Sequence, residues 1–126
     1  EAFTARGLAG IAWAYVAMRF RDPPLEEVIA NGADWLLGIE WWDAQSLATT
    51  TWSIASFDGD YGSVVCSLAL EALPRMAEFR ASEAGMLSWA VCRLADLTLA
   101  EQVYAAATSA EARQAALAPL QRECEQ

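Results

Sequence analysis

Histidine and lysine are both missing from this chain, and its eight basic residues are all arginine. A serine or cysteine nucleophile normally works with a positioned base, most often histidine. Tetrahedral zinc likewise draws on histidine and cysteine, so a site here would need an unusual carboxylate share. Cysteine is sparse as well: Cys66, Cys92 and Cys124 stand far apart, with no C-x-x-C pair. That is not a disulfide framework, and buried, inert thiols are the expectation. These absences point to a chain with no catalytic residues, no cofactor and no metal.

Positive charge is also scarce. Seventeen acidic residues against eight arginines leave a formal net charge of −9. Nucleic-acid binders usually carry a basic footprint, because neutralising phosphates drives their affinity. Long apolar runs are lacking too. The longest uncharged stretches, Gly7–Met18 and Ala44–Phe57, fall short of the roughly 18 residues of a membrane-spanning helix. The expectation is therefore no transmembrane segment, with peripheral association with a membrane complex still open. The chain begins at Glu1 with no basic segment leading into an apolar run, which reads as processing or truncation and not as a signal peptide.

What the sequence does have is apolar helical periodicity. Hydrophobic residues make up 56% of 126 positions, above the usual roughly 45–50%. Leu8, Ile11, Ala12, Tyr15 and Val16 share one face of a first helix, with Thr4 as its N-cap. Asp22 is placed to cap a second helix whose first turn holds Pro23 and Pro24. Leu25, Val28, Ile29, Leu36 and Ile39 form its expected buried stripe. Asp43 caps a third helix carrying Leu47, Ile54 and Ala55, and the segment Phe57–Gly62 reads as a turn. A fourth helix, about Ser63 to Phe79, carries Val64, Val65, Leu68, Leu73 and Met76, with a break expected at Pro74. Ser82 should cap a fifth helix with Met86, Leu87, Ala90, Val91 and Leu94 inward, and Asp96 a sixth. Thr108-Ser109-Ala110-Glu111 matches a capping box opening a seventh. No segment sustains a period of two, so the class is all-α.

Three segments superpose: Leu8-Ala9-Gly10-Ile11-Ala12-Trp13-Ala14-Tyr15, Leu47-Ala48-Thr49-Thr50-Thr51-Trp52-Ser53-Ile54, and Ala84-Gly85-Met86-Leu87-Ser88-Trp89-Ala90-Val91. Their tryptophans lie 39 and then 37 residues apart. Leu36 with Leu73, and Ile39 with Met76, repeat at 37. One helix pair cannot bury both of its apolar faces, so the spacing predicts tandem helix hairpins stacked as an α-solenoid. The whole chain, 1–126, then forms one repeat domain, with units about 4–42, 43–79 and 80–107 and a terminal helix 109–123. Trp13, Trp52 and Trp89 should fill the seams between units, with Ala and Ser beside them allowing close approach.

The L-A-x-x-x-W-[AS] motif opening a 37–39-residue hairpin resembles the octotricopeptide repeats and the related repeats upstream of RAP domains in FAST-kinase-like proteins. The resemblance covers about residues 4–95, with a weaker third unit. It implies a plastid or mitochondrial protein, and it implies either RNA binding in RNA processing, stability or translation, or recruitment as a structural subunit of an organellar complex.

The remaining candidates are contacts. Asp58-Gly59-Asp60-Tyr61-Gly62 lacks the EF-hand glycine and the acidic twelfth residue, where Ser63 and Ala69 stand, and reads as a turn. Glu26 and Glu27 suit a helix N-terminus. Trp41 and Trp42 are adjacent at a helix junction. Either both pack in neighbouring seams or one is exposed as a partner contact. Arg19 and Arg21 either bind phosphate, a carboxylate or Asp22, or lie in a solvated loop. The expected function is a non-catalytic interaction or scaffold subunit of a larger organellar assembly, a ribosome or an energy-transducing, including photosynthetic, complex. The alternative is an organellar RNA-binding protein.

Overall fold

A computed structural model describes residues 4–19, 21–57, 59–94, 97–107 and 109–124. Among them are seven α-helices and no strand. Helix α1 spans Ala5–Ala17, and the Gly7 N–H donates to the Thr4 hydroxyl at 3.0 Å. Helix α2, Pro23–Leu37, starts behind Asp22, which accepts from the Leu25 N–H. Helix α3, Ala44–Ala55, starts behind Asp43, which accepts from the Ser46 N–H at 2.8 Å. In each case the side chain satisfies a first-turn N–H that has no partner within the helix.

Helix α4 runs from Gly62 to Ala72 and stops where Pro74 requires it. A 3₁₀ turn follows over Leu73–Glu78, with Arg75 out of helical geometry at φ −119° and ψ 18°. Helix α5 covers Ala81–Leu94. Ser82, the expected cap, lies inside that helix. The start is held instead by Glu83, whose carboxylate accepts from the Arg80 N–H at 2.9 Å. Helix α6 is Leu97–Ala106 and α7 is Ala110–Cys124. Ser109 caps α7, accepting from the Ala112 N–H at 3.0 Å. Thr108 of the expected capping box, the proposed cap Asp96, and Asp58 of the turn lie outside the described residues.

The helices form two layers. Helix α3 lies between α1 and α5, and α7 packs on the other side of α5. Helices α2, α4 and α6, with the 3₁₀ turn, make the second layer across them. The interface between layers is built from small side chains: Ala12, Ala33, Ala48, Ala69, Ala72 and Ala90 are buried. Between them stand Leu8, Ile29, Leu36, Leu47, Leu68 and Leu87, each almost wholly out of water. Burying a leucine-sized side chain contributes about 1.5–3 kcal/mol, and the alanines let the helix axes come close. At Gly62 a side chain is excluded, since a Cβ there would sit 2.6 Å from the Leu94 carbonyl oxygen.

Several positions expected inside are outside. Ile11 on α1, Leu25 and Val28 on α2, and Ile39 just past the end of α2, are exposed, although Leu8, Ala12, Tyr15, Ile29 and Leu36 are buried as expected. The apolar arc of each helix is wider than the face its neighbours cover.

Candidate functional site

The three spaced tryptophans come together. The Trp13 and Trp52 ring centroids are 5.4 Å apart, and those of Trp52 and Trp89 are 6.0 Å apart. Neighbouring rings tilt by 39° and 40°. Each indole thus meets the next across the seam between α1, α3 and α5, at separations suited to aromatic attraction. They are not core residues, however. Trp13 is 50% exposed, and Trp52 and Trp89 are half-buried. The ladder lies on the outer side of the α1, α3, α5, α7 layer, where each ring covers part of the next and leaves an edge to solvent.

Two grooves run along it. One, of about 540 Å³, lies between α1, α3 and α5 and is lined by Arg6, Gly10, Trp13, Gln45, Thr49 and Met86, among others. The second, of about 340 Å³, continues past Met86 between α5 and α7, with Trp52, Gly85, Trp89, Ala115, Pro119 and Arg122. Gly85 matters here because a Cβ would meet the Ala115 carbonyl at 3.3 Å. Among the described residues no carboxylate lines either groove.

The charge divides by layer. Helices α1, α3, α5 and α7, with the cap of α3, carry Asp43, Glu83 and Glu111 against Arg6, Arg93, Arg113 and Arg122. The second layer carries Glu26, Glu27, Asp34, Glu71, Glu78 and Glu101 against Arg75 alone. The ladder side is near neutral, and the acidity of the chain lies elsewhere. Three of the ladder-side arginines are engaged, Arg113 by donating to the Ala107 carbonyl at 2.8 Å. Arg6 pairs with Asp43 at 3.0 Å. Arg93 donates to the Ala55 carbonyl at 2.7 Å, closing the end of α3, and its guanidinium lies 5.6 Å from the Trp89 ring centre. Burial works to raise the Asp43 carboxyl, but the hydrogen bonds from Ser46 and the charge and hydrogen bond of Arg6 outweigh it and hold the pKa below the ordinary range.

The junction tryptophans separate. Trp41 is 70% exposed, with the Arg75 guanidinium 4.8 Å from its ring centre, a cation–π arrangement. Arg75 also reaches Glu78 at 3.2 Å and Glu71 at 3.7 Å. Trp42 is 1% exposed and packs in the core, which removes it as a contact residue. Arg19 has φ 56°, the left-handed turn that ends α1. Arg21 is committed to a carboxylate of its own chain, Glu26, at 2.9 Å.

Glu26 lies in the first turn of α2, as the helix-dipole reading expected, and it points inward. It is buried at 1% exposure and takes a 2.7 Å hydrogen bond from the Tyr15 hydroxyl. That hydroxyl in turn accepts from the Asp22 N–H at 2.6 Å. The signal was in the pattern: Glu26 shares the stripe of Ile29, Ala30, Ala33 and Leu36. Tyr15 stands edge-on to Phe57, and Phe57 edge-on to Tyr61. Burial first, and the Glu26 hydrogen bond next, push the Tyr15 hydroxyl pKa upward. Tyr61 is raised as well, by burial and by the charges of Glu26 and Glu27. Groups whose folded pKa exceeds the unfolded one stabilise the fold fully below the unfolded value and lose that contribution as pH rises through the folded one. Helicity followed by circular dichroism should therefore hold through neutral pH and fall above about pH 10. Tyr15→Phe should flatten that loss while lowering stability at neutral pH.

Among the described residues no group of three or more His, Cys, Asp or Glu side chains converges, and no helix is long and apolar enough to cross a membrane. No family model, curated protein or solved structure matches this chain.

Proposed function

We propose that this chain is a non-catalytic α-solenoid interaction module, three stacked helix pairs and a terminal helix, that holds a protein segment along the tryptophan ladder as part of a larger organellar assembly. The observation that carries this reading is the run of half-exposed indoles, Trp13, Trp52 and Trp89, along one continuous pair of grooves. Interface hot spots are enriched in tryptophan and arginine set in such depressions, and Gln45 and Thr49 supply polar groups beside them. The organellar setting, plastid or mitochondrion, follows from the repeat resemblance.

Single-stranded RNA is the second reading, favoured by the arginines and the lack of lining carboxylates. Bases stack on exposed aromatic rings. Affinity for a strand, however, grows with the phosphates neutralised. Arg6 is paired with Asp43 and Arg93 with the Ala55 carbonyl, and the net charge is −9. A protein segment fits that balance better.

A photo-crosslinker at Thr49, in the groove, tests the choice in an organelle extract. It should capture a single protein, and Trp13→Ala should reduce capture about tenfold, equivalent to about 1.4 kcal/mol. Capture of RNA, with binding that weakens steeply in salt, transfers the function to the second reading. A crosslinker at Glu101 in the opposite layer that captures the partner while Thr49 does not removes the groove from consideration.

A further inference from the structure

The tryptophan ladder is a trough and not a cup. Its two grooves share Met86 and together pass all three indoles. A flat group held between two rings needs about 7 Å from one ring to the other, twice a van der Waals contact. The ring centres here are 5.4 and 6.0 Å apart. No base or side chain therefore enters between neighbouring indoles, and an occupant lies across them. The run of rings is at most about 11 Å long, and one turn of polyproline II, three residues, rises about 9.3 Å. Prolines in P-x-x-P spacing thus fall within the length of the ladder.

Hydrogen bonding selects the same kind of segment. Arg6, Gln45, Ser46, Thr49 and Arg122 line the trough and can all donate, and among the described residues no carboxylate does so. An ordinary extended segment brings an N–H at every residue, and each one covered without an acceptor opposes binding. Proline has no N–H, and polyproline II leaves its carbonyls without internal partners. Such a segment offers acceptors to the lining donors and strands none of its own. It also arrives preformed, which lowers the cost of ordering it.

Charge sets the rest. Arg6 is held by Asp43, and Arg93 and Arg113 donate to backbone carbonyls. Arg122, at the far end of the second groove, is exposed and pairs with no carboxylate among the described residues. The chain as a whole carries −9, which repels a strongly acidic strand, whereas a basic one meets an arginine. A neutral segment with one carboxylate over Arg122 meets neither objection.

We infer that the ladder takes a proline-rich segment in polyproline II form, its P-x-x-P prolines lying across Trp13, Trp52 and Trp89 and a flanking carboxylate meeting Arg122. This rests on the ladder being an interaction surface and names the segment it holds.

Fluorescence anisotropy with labelled decapeptides tests it. The probe is proline and alanine in P-x-x-P spacing with one terminal aspartate, made with the aspartate first or last to cover both chain directions. The better of the two should bind about tenfold tighter than a glycine–serine decapeptide with the same aspartate. Trp13→Ala should weaken it about tenfold. Arg122→Glu alters an exposed side chain, so helicity should hold, and it should reverse the preference from the aspartate-ended peptide to a lysine-ended one. Equal affinity for the proline and glycine–serine peptides overturns the inference. So does tighter binding of decauridylate, or an end preference that Arg122→Glu leaves unmoved. Capture at Thr49 is read separately. If it links a protein through a segment without proline, this inference fails and the interaction reading stands.

Discussion

Glu26→Ala should lower folding stability by about 3 kcal/mol, measured as a shift in the urea midpoint at constant slope. Removing one member of a buried ion pair costs roughly 3–5 kcal/mol, because the surviving charge is left without water or partner. Here the survivor is Arg21, whose side chain is 51% exposed. It regains water, which places the cost at the lower end. The larger part of the loss comes from Tyr15. Its buried hydroxyl donates to Glu26 at 2.7 Å while accepting from the Asp22 N–H at 2.6 Å. Without the carboxylate that hydroxyl keeps its acceptor role and loses its outlet. Glu26→Gln retains an acceptor of the same shape and should cost about 1–2 kcal/mol. A cost for Glu26→Ala no greater than that of an exposed surface change would mean the network contributes nothing.

Trp42→Ala should be at least as damaging, at about 3–5 kcal/mol. The indole is among the largest side chains fully out of water and sits in the junction between α2 and α3, so alanine leaves a cavity where two helix pairs meet. Among the described residues its Nε1–H has no hydrogen-bond partner, an unmet donor that itself opposes folding. Trp42→Phe removes that donor along with part of the ring volume. The two effects oppose each other, and phenylalanine should recover most of the stability lost in the alanine variant. Thermal melts of the two variants separate the outcomes. Equal losses would show that the phenyl ring recovers nothing and that the site accepts only the indole. Trp41→Ala, next door but exposed, should shift the melt far less.

The contrast between these neighbours marks where sequence reading stops. Helix starts at Thr4, Asp22 and Asp43 were legible because capping is local chemistry, decided by one side chain and the amides two or three residues on. The stop before Pro74 was legible for the same reason. Burial is not local. Periodicity placed Ile11 with Leu8 and Val28 with Ile29, but which part of an apolar arc meets a neighbour depends on where the next helix lies. The ladder was half legible. Trp13, Trp52 and Trp89, spaced by 39 and 37 residues, meet ring against ring. Their exposure does not follow from the spacing, because the seam they fill is a surface seam. Glu26 was hidden by its type: a carboxylate in a first helical turn has an ordinary explanation, and only its phase with Ile29 and Leu36 shows that it points inward.

The uneven distribution of arginine and carboxylate between the two layers gives the molecule an electrical polarity across its thickness. An object with such a transverse dipole is turned by an external field before it touches anything. Near a negatively charged body it rotates to lead with the tryptophan side, and near a positively charged one with its back. Encounter is thereby oriented as well as attracted or repelled. That torque fades once the distance exceeds the Debye length, about 8 Å in physiological salt, so it governs the last step of approach.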